Sequence, residues 1–402
     1  MPLDIEKIRR DFPILNTGII YFDSAASSLT PEPVLYKMLE YYHQYRSNVE
    51  RGVHQLSQRA SEEYEKARIK VAGFINTKSS NDIIITKNTT EGINILANGL
   101  KWCKGDRIVT TSIEHHSNFI VWLRVKERFG TDLKIVECNS DGTFDIAEFE
   151  KAIDDQTKLV AVTHASNVMG AITPVDEITK IAHKHGALTL LDSAQAVPHI
   201  KVDVRRIDCD FLAFSGHKMC GPTGIGILYA REELQNEIEP LMVGGGTIKD
   251  VGLNYYNLVK GPKKFEAGTP PIAEVIALGV AVDYLQNIGI DSIREHDVKI
   301  MERMYNEMVK TPKITVYGPK PKLRVGLLSF NIEGLSPHDV ALALDATANI
   351  MIRSGAICAL PLMKGLIHQA SGIARASTYI YNTNEEVDRF VEVVSQLASS
   401  AT

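Results

Sequence analysis

Lys218 has the surroundings of a lysine that takes part in chemistry. It ends the run Ser215-Gly216-His217-Lys218, which follows the apolar residues 211–214 and precedes a turn rich in glycine. The apolar stretch predicts a buried strand, so the amine lies at the mouth of that strand. An amine that is poorly solvated loses its charge more easily, and the neutral amine is the form that attacks an aldehyde. The pattern predicts a lysine that forms a Schiff base.

A carboxylate and an amide follow a second buried stretch. Asp192 comes directly after the apolar residues 188–191, and Gln195 comes three residues later. In open parallel sheets the carboxyl ends of the strands face the ligand. A carboxylate there can keep a pyridine nitrogen protonated, which makes the ring an electron sink, and Gln195 could donate to the phenolic oxygen of that ring. Together with Lys218 these residues predict pyridoxal 5'-phosphate (PLP), whereas Asp192 alone would also fit a helix cap or a buried ion pair.

Hydroxyl groups mark a candidate phosphate site. Thr89 and Thr90 stand before a glycine at the start of a predicted helix, where backbone amides and the helix dipole favour an anion. Ser215 and His217 flank the reactive lysine and could donate to the same phosphate. Capping of the helix by threonine is the alternative explanation for the first two residues.

Four further residues are candidates for the reaction itself. His115, the first of two adjacent histidines, could stack over a pyridine ring and move protons. No third ligand accompanies that pair, so we predict no metal site. Arg375 lies among small and apolar residues, where its charge needs a substrate carboxylate or an internal ion pair. Cys358 lies in a loop of small residues that carries Arg353 near its start, which is typical of a nucleophilic thiol.

The bulk composition indicates an ordinary globular protein. The chain has 402 residues, 44% hydrophobic and 23% charged, with a net charge of −5. Mixed charges without a basic stripe argue against nucleic acid as a partner. The first residues lack a signal-peptide pattern, and no apolar run reaches membrane-spanning length, so we expect a cytoplasmic protein that does not bind membranes. Five widely spaced cysteines without a CxxC pair predict neither a disulfide framework nor a zinc site.

The order of apolar runs predicts two domains. Strand-like and helical patterns alternate from about residue 80 to 230, which favours a mostly parallel sheet with helices on both faces. The glycine-rich and proline-rich residues 244–271 predict a long irregular excursion. The pattern after it is typical of a smaller α+β domain. We expect a large domain over residues 18–285 and a small one from residues 1–17 and 286–402.

Taken in order, these segments resemble the class V branch of fold-type I PLP enzymes. Within that branch the sequence is similar to the group II cysteine desulfurases of the SufS/CsdA type. The likeness runs through nearly the whole chain and rests on these matching segments: Tyr21-Phe22-Asp23-Ser24-Ala25-Ala26, Arg51-Gly52-Val53-His54, Thr89-Thr90-Glu91-Gly92-Ile93-Asn94, Glu114-His115-His116, Ser166-Asn167, Asp192-Ser193-Ala194-Gln195, Ser215-Gly216-His217-Lys218, Phe265-Glu266-Ala267-Gly268-Thr269-Pro270, the loop from Arg353 to Met363, and Arg375. It implies a large domain whose mostly parallel sheet has seven strands.

The resemblance also implies a role for each candidate residue. Lys218 would carry the cofactor, with Cys358 and His115 as the other catalytic residues. The cofactor would be held by Thr89, Thr90, His115, Asn167, Asp192, Gln195, Ser215, His217 and Lys218, joined by Thr269 from a neighbouring subunit. Arg375, Arg353 and Asn167 would bind the substrate. A site completed across subunits implies a homodimer.

The implied reaction converts L-cysteine, or L-selenocysteine, to L-alanine and leaves a persulfide on Cys358. The resemblance implies that the sulfur passes to an acceptor or scaffold protein for iron–sulfur cluster assembly. The sequence departs from group II where two histidines usually precede the cysteine, because Ala356-Ile357 stand there. The alternatives are a selenocysteine lyase, a transaminase-like relative, or a non-catalytic nucleotide-binding domain, although no G-x-G-x-x-G fingerprint or P-loop supports the last.

Overall fold

The computed structural model describes residues 3–369 and 371–401. Its strands are β1 (Ile20–Tyr21), β2 (Ile83–Thr86), β3 (Arg107–Thr111), β4 (Asp132–Val136), β5 (Thr157–Thr163), β6 (Leu188–Asp192), β7 (Phe211–Ser215), β8 (Gly226–Ala230), β9 (Ile248–Val251), β10 (Tyr256–Leu258), β11 (Ile314–Tyr317), β12 (Leu327–Ile332), β13 (Ile350–Met351), β14 (Arg353–Gly355) and β15 (Ile373–Ser377). Its α-helices are α1 (Ile5–Arg9), α2 (Glu32–Gln44), α3 (Gln55–Phe74), α4 (Thr89–Gly99), α5 (Ile120–Phe129), α6 (Ile146–Ala152), α7 (Val175–Lys184), α8 (Val204–Ile207), α9 (Ile272–Ile288), α10 (Ile290–Met308), α11 (Pro337–Ala348), α12 (Leu360–Leu362) and α13 (Asn384–Ser400).

A sheet of seven strands forms the centre of the larger part of the molecule. Its order is β2-β8-β7-β6-β5-β3-β4. Strand β8 runs antiparallel to both its neighbours, and the other neighbouring pairs are parallel. Because β2 and β7 both oppose β8, they run in the same direction as each other. The carboxyl ends of β2, β3, β5, β6 and β7 therefore share one edge. The predicted mostly parallel sheet of seven strands is confirmed.

Both faces of this sheet are buried because apolar residues fill successive positions of its central strands. In β7, Phe211 and Ala213 belong to one apolar cluster, while Leu212 and Phe214 belong to the other. Alternate side chains of a strand point to opposite faces, so each face needs its own cover. Helices α4 and α5 pack in the first cluster, and α3, α7 and α9 pack in the second.

A second, antiparallel sheet of four strands has the order β11-β12-β15-β14. Helices α10, α11 and α13 supply apolar side chains to the cluster that covers it. The N-terminal segment contacts both parts, since the ring of Phe12 lies 4.9 Å from that of Tyr381 and 6.3 Å from that of Tyr284 in α9. The expected smaller α+β region is thus present, while the domain boundaries at residues 17 and 285 remain predictions.

Two expectations about local structure were wrong in part. Strand β4 was not predicted because it lies at the sheet edge and most of its residues are accessible to solvent, so it lacks an apolar run. Residues 244–271 are not irregular throughout, since β9 and β10 pair there as an antiparallel ribbon. That ribbon is largely exposed, and its sequence shows no buried alternation that would have indicated strands.

No single helix in the described residues is both long enough and apolar enough to cross a bilayer. Helices α9 and α10 meet both requirements only when they are counted together, and they join at a bend of 71°.

Candidate active site

A cavity of about 280 Å³ lies where the carboxyl ends of the large sheet meet strands β14 and β15. Its size is near the lower end of the range for small-molecule sites, which begins at roughly 300 Å³. Every predicted site residue except Thr269 lines it. These residues are Thr89, Thr90, His115, Asn167, Asp192, Gln195, Ser215, His217, Lys218, Arg353, Cys358 and Arg375. Within the described part of the chain, no three His, Cys, Asp or Glu residues cluster as metal ligands would.

Asp192 is the last residue of β6, and Lys218 follows the neighbouring strand β7. Lys218 ends a 3-10 turn that begins at Gly216, where a Cβ would lie 2.8 Å from the side chain of Ile225. Burial lowers the pKa of Lys218, although Asp192 and Cys358 oppose that effect. Burial raises the pKa of Asp192, opposed by Lys218 and by a 3.1 Å hydrogen bond from the Ala194 N–H. Amine and carboxylate therefore face the same cavity and stabilise each other's charged form.

The start of helix α4 forms a cup of hydroxyl groups. The backbone N–H of Thr89 donates to the Ser215 hydroxyl over 2.9 Å, and the two hydroxyls lie 2.7 Å apart. The hydroxyls of Thr90 and Ser117 are also 2.7 Å apart. Asn88 caps the helix by accepting from the Glu91 N–H over 2.9 Å. The hydroxyls and the positive end of an eleven-residue helix make this cup suited to a phosphate.

His115 lies at the end of the loop that follows β3, next to the buried Glu114. Its Nδ1 accepts from the Ser117 N–H over 3.1 Å, which leaves the proton on Nε2. Burial is the main cause that lowers its pKa to about 4, with further lowering by Lys218 and His116. The ring is therefore neutral near pH 7.

Glu114, immediately before that histidine, is buried and was not singled out from the sequence. Its carboxylate accepts from the Thr111 hydroxyl at 2.6 Å, the Thr163 N–H at 2.9 Å and the Asn118 side chain at 2.6 Å. Burial raises its pKa to about 8. Glu114 thus joins β3, β5 and the turn after His115. The sequence signal that could have identified Glu114 was its place as a polar residue between a predicted strand and the histidine pair.

Arg375 combines the two explanations that its sequence allowed. Its guanidinium donates to Asp23 over 3.1 Å and to the Asn167 carbonyl over 2.8 Å, while its buried Nε has no partner among the described residues. It also lines the cavity. Arg353 lies directly opposite it in the β14–β15 ladder, but its side chain is exposed. Asp23 was not predicted to act here, because only the fold brings residues 23 and 375 together.

Cys358 is exposed and follows β14 on a loop with an unusual backbone. Ile357 has φ +49° and Cys358 has φ +55°, so two consecutive residues with side chains are left-handed. The side chain of Asn167 donates to the Ile357 carbonyl over 2.8 Å. The Ile357 side chain is buried in an apolar cluster with Ile113.

Thr269 lies away from this cavity on the same chain. It is exposed and lines a second pocket with Arg51 and Glu266. Glu266 accepts two hydrogen bonds of 2.8 Å from the buried Arg68, which holds the segment against the end of α3. A single chain does not bring Thr269 to the cup at α4, and its contribution from a second subunit stays a prediction.

The residues around the cavity fit PLP. Asp192 offers a buried carboxylate, Lys218 an amine of lowered pKa, and the α4 cup a site for phosphate. The Gln195 side chain donates to the Ala25 carbonyl over 2.7 Å and has a second N–H left to donate. Its Oε1 is buried without a partner among the described residues. Polar groups of this kind need a ligand or water to satisfy them.

Comparison with known proteins agrees with this geometry. Residues 20–390 match the family described as aminotransferase class-V. The chain is 47% identical over 395 residues to the probable cysteine desulfurase of Methanothermobacter thermautotrophicus, covering 98% of each. Its structure is similar to the apo cysteine desulfurase of Thermococcus onnurineus NA1, with TM-score 0.95, 45% identity and 99% of each chain covered. The cysteine desulfurase CsdA of Escherichia coli gives TM-score 0.93 and 31% identity over the full length of both chains.

The chain belongs to the aminotransferase class-V family. Within this family the compared relatives are cysteine desulfurases, as the sequence predicted, and the predicted α/β fold is confirmed. The group II subtype and the roles of individual residues remain predictions.

Proposed function

We propose that this chain is a PLP-dependent cysteine desulfurase that converts L-cysteine to L-alanine and retains the sulfur as a persulfide on Cys358. The observation that carries the proposal is the convergence of Lys218, Asp192 and Cys358 on one cavity. Full-length relatives named as cysteine desulfurases support it, including one at 47% identity. L-Selenocysteine is a further candidate substrate.

The cofactor would lie between the large sheet and His115. When bound, PLP supplies an aldehyde carbon and an electron-accepting pyridine ring. Lys218 would attach it, Asp192 would hold a proton on the ring nitrogen, and Gln195 would donate to the phenolic oxygen. Thr89, Thr90, Ser215 and His217 would hold the phosphate. The neutral His115 would cover the ring without adding a second positive charge.

The substrate would enter from the side of β14 and β15. Arg375 has a buried N–H group without a partner among the described residues, so its guanidinium can hold the substrate carboxylate while it still contacts Asp23. Arg353 would add positive charge at the rim, and Asn167 would lie beside the substrate. The amine of Lys218 would accept the proton of the substrate α-carbon, because its lowered pKa leaves it neutral more often.

Cys358 would take the sulfur. Its thiolate would bond to the substrate sulfur as the bond from that sulfur to the β-carbon breaks, and the electron pair would stay with the carbon fragment. With protons counted, one enzyme thiol and one L-cysteine give one enzyme persulfide and one L-alanine. Since Cys358 is exposed, an acceptor thiol can reach it for exchange. We propose a protein acceptor that serves iron–sulfur cluster assembly.

The active unit is proposed to be a homodimer. Thr269 is exposed rather than turned into its own chain's cup. Apolar side chains are also exposed at Val53, at Val243 and, in the β9–β10 ribbon, at Leu253, Tyr255 and Tyr256. An apolar surface of this kind is typical of a protein contact. A second copy that covers it would supply Thr269 to the phosphate of the first.

The proposal is tested with Cys358→Ala beside the unsubstituted protein. Both should bind PLP with the same visible absorbance, and borohydride should fix the cofactor on the peptide that contains Lys218. With L-cysteine, the unsubstituted protein should release alanine and gain one sulfur atom on Cys358 by mass spectrometry. Cys358→Ala should do neither.

Cys103→Ala is the matched control, since Cys103 is also exposed but lies outside the cavity. It should retain full activity. A keto acid as the product would indicate a transaminase instead. A protein that does not bind PLP in excess would contradict the proposal as a whole.

A further inference from the structure

The backbone that presents Cys358 is strained, so the surrounding structure must hold it in place. Left-handed φ values at Ile357 and Cys358 are unfavourable for residues with side chains, and most of all for a β-branched residue. Such conformations persist only where neighbouring contacts enforce them. The contacts of this loop therefore decide where the thiol stands.

We infer that His116 is a positioning residue for Cys358, and that it fixes the thiol through two hydrogen bonds to the main chain of the cysteine loop. The inference rests on the proposed function, because it assigns a residue to the sulfur step.

The two hydrogen bonds of His116 hold the main chain directly after the Cα of Cys358. Its backbone N–H donates to the Cys358 carbonyl over 2.7 Å. Its ring Nε2 accepts from the Leu360 N–H over 3.0 Å. One residue of the loop after β3 thus holds the carbonyl of Cys358 and the N–H of Leu360, on the two sides of Ala359.

Other contacts hold the loop elsewhere but not at this point. The Asn167 side chain holds the Ile357 carbonyl at 2.8 Å, and the Ala359 N–H closes a turn onto the Ala356 carbonyl at 3.0 Å. The buried Ile357 side chain anchors the loop from below. The His116 ring is the hydrogen-bond acceptor of the Leu360 N–H, and the described residues offer this N–H no other acceptor.

The ring is in the state that this contact requires. Only a neutral imidazole has a nitrogen lone pair that can accept a hydrogen bond. Partial burial lowers the pKa of His116, so the ring is predominantly neutral near pH 7. The adjacent His115 faces the cavity, whereas His116 faces the loop, and the two rings lie 6.4 Å apart. The two histidines therefore serve the cofactor and the thiol separately.

Three substitutions test the inference. His116→Leu removes the acceptor and keeps the backbone N–H. His116→Gln offers an amide oxygen that can accept at the position of Nε2. His338→Leu is the matched control, because His338 is exposed and contacts Ser354 in β14, just before the loop, over 2.8 Å.

Two measurements separate the thiol from the cofactor. Persulfide formation on Cys358 in a single turnover needs both, whereas exchange of the α-proton of L-alanine in deuterium oxide needs the loaded cofactor, Lys218 and the substrate-binding residues but not Cys358. We expect His116→Leu to slow persulfide formation by on the order of tenfold to a hundredfold, as a misplaced reacting group does. Alanine exchange should keep the rate of the unsubstituted protein. His116→Gln should recover most of the lost rate.

Hydrogen exchange gives a readout that does not depend on activity. In His116→Leu the Leu360 amide should exchange faster, and in His116→Gln it should stay protected. Unchanged persulfide formation in His116→Leu would overturn the inference, as would an equal loss of alanine exchange or an equal effect of His338→Leu. If the unsubstituted protein neither exchanges alanine nor forms a persulfide, the proposed function fails, and exchange at Leu360 still tests the contact.

Discussion

The two walls of the candidate active site are held in different ways. The cofactor wall comes from the ends of β2, β3, β5, β6 and β7, whose strands are buried on both faces. The thiol wall is a loop with two left-handed residues. The Asn167 side chain and the His116 backbone N–H donate hydrogen bonds to its main chain, and the His116 ring accepts one from it. One wall is fixed by a packed core, and the other by a few hydrogen bonds and the buried side chain of Ile357.

The difference matches what each wall is proposed to do. Groups that hold a cofactor work best in a preorganised geometry, since reorganisation during the reaction costs rate. A thiol that meets first a substrate and then an acceptor must stay exposed, and Cys358 is exposed. Changes in the cofactor wall should therefore affect every reaction step, whereas changes in the thiol wall should affect sulfur transfer alone.

The largest effect is expected from Asp192→Asn. The amide keeps the shape of the carboxylate but cannot hold a proton on a pyridine nitrogen, so kcat should fall by roughly a hundredfold to a thousandfold, as for loss of a preorganised electrostatic group. Persulfide formation and alanine exchange should fall together. A loss confined to the persulfide step would break the comparison between the walls. The melting temperature would show whether the variant folds.

A smaller effect is expected from Arg375→Lys, which is paired with Arg353→Lys. Lysine lacks the planar fork with which Arg375 contacts Asp23 and Asn167, so KM for L-cysteine should rise by roughly tenfold to a hundredfold, the worth of a charge-assisted hydrogen bond. The exposed Arg353 faces it across the ladder, and its substitution should raise KM by roughly fivefold or less. Equal effects on KM would show that burial does not set the importance of these arginines.

The smallest effect on activity is expected from Glu114→Gln, which changes stability instead. The pKa of Glu114 is raised from 4.5 to about 8 in the folded chain. The folded state therefore binds this proton more tightly than the unfolded state, and its stabilising contribution is lost as pH rises from about 4.5 to 8. Thermal unfolding at several pH values should show a weaker decline in the glutamine variant. Identical pH profiles in both proteins would refute this account of Glu114.

Much of the cofactor wall could be predicted from the sequence. Lys218, Asp192 and Thr89 each follow an apolar run, and an apolar run followed by a polar residue is a local signal for the end of a buried strand. The strand direction then places such ends on one edge. Ser117 and Asn88 were missed because a single hydroxyl or amide next to a helix start has many ordinary uses.

The thiol wall and the neighbouring Arg375 could be predicted only in part. Cys358 was found from the small residues around it, and Arg375 from its charge among apolar neighbours. The contacts of Arg375 with Asp23 and of His116 with Leu360 were not predicted. They join residues more than 240 positions apart, and no local pattern records such a pairing.

Residue types and their spacing were enough to predict which side chains could carry the chemistry. They were also enough to predict the mostly parallel sheet that brings the strand ends together, because both features depend on local residue type and periodicity. The residues that support these side chains became known from the three-dimensional structure: Glu114 beneath the cofactor wall, Asp23 next to Arg375, and His116 next to the cysteine loop. These pairings depend on packing between distant segments, and the free energy of that packing belongs to no single stretch of the chain.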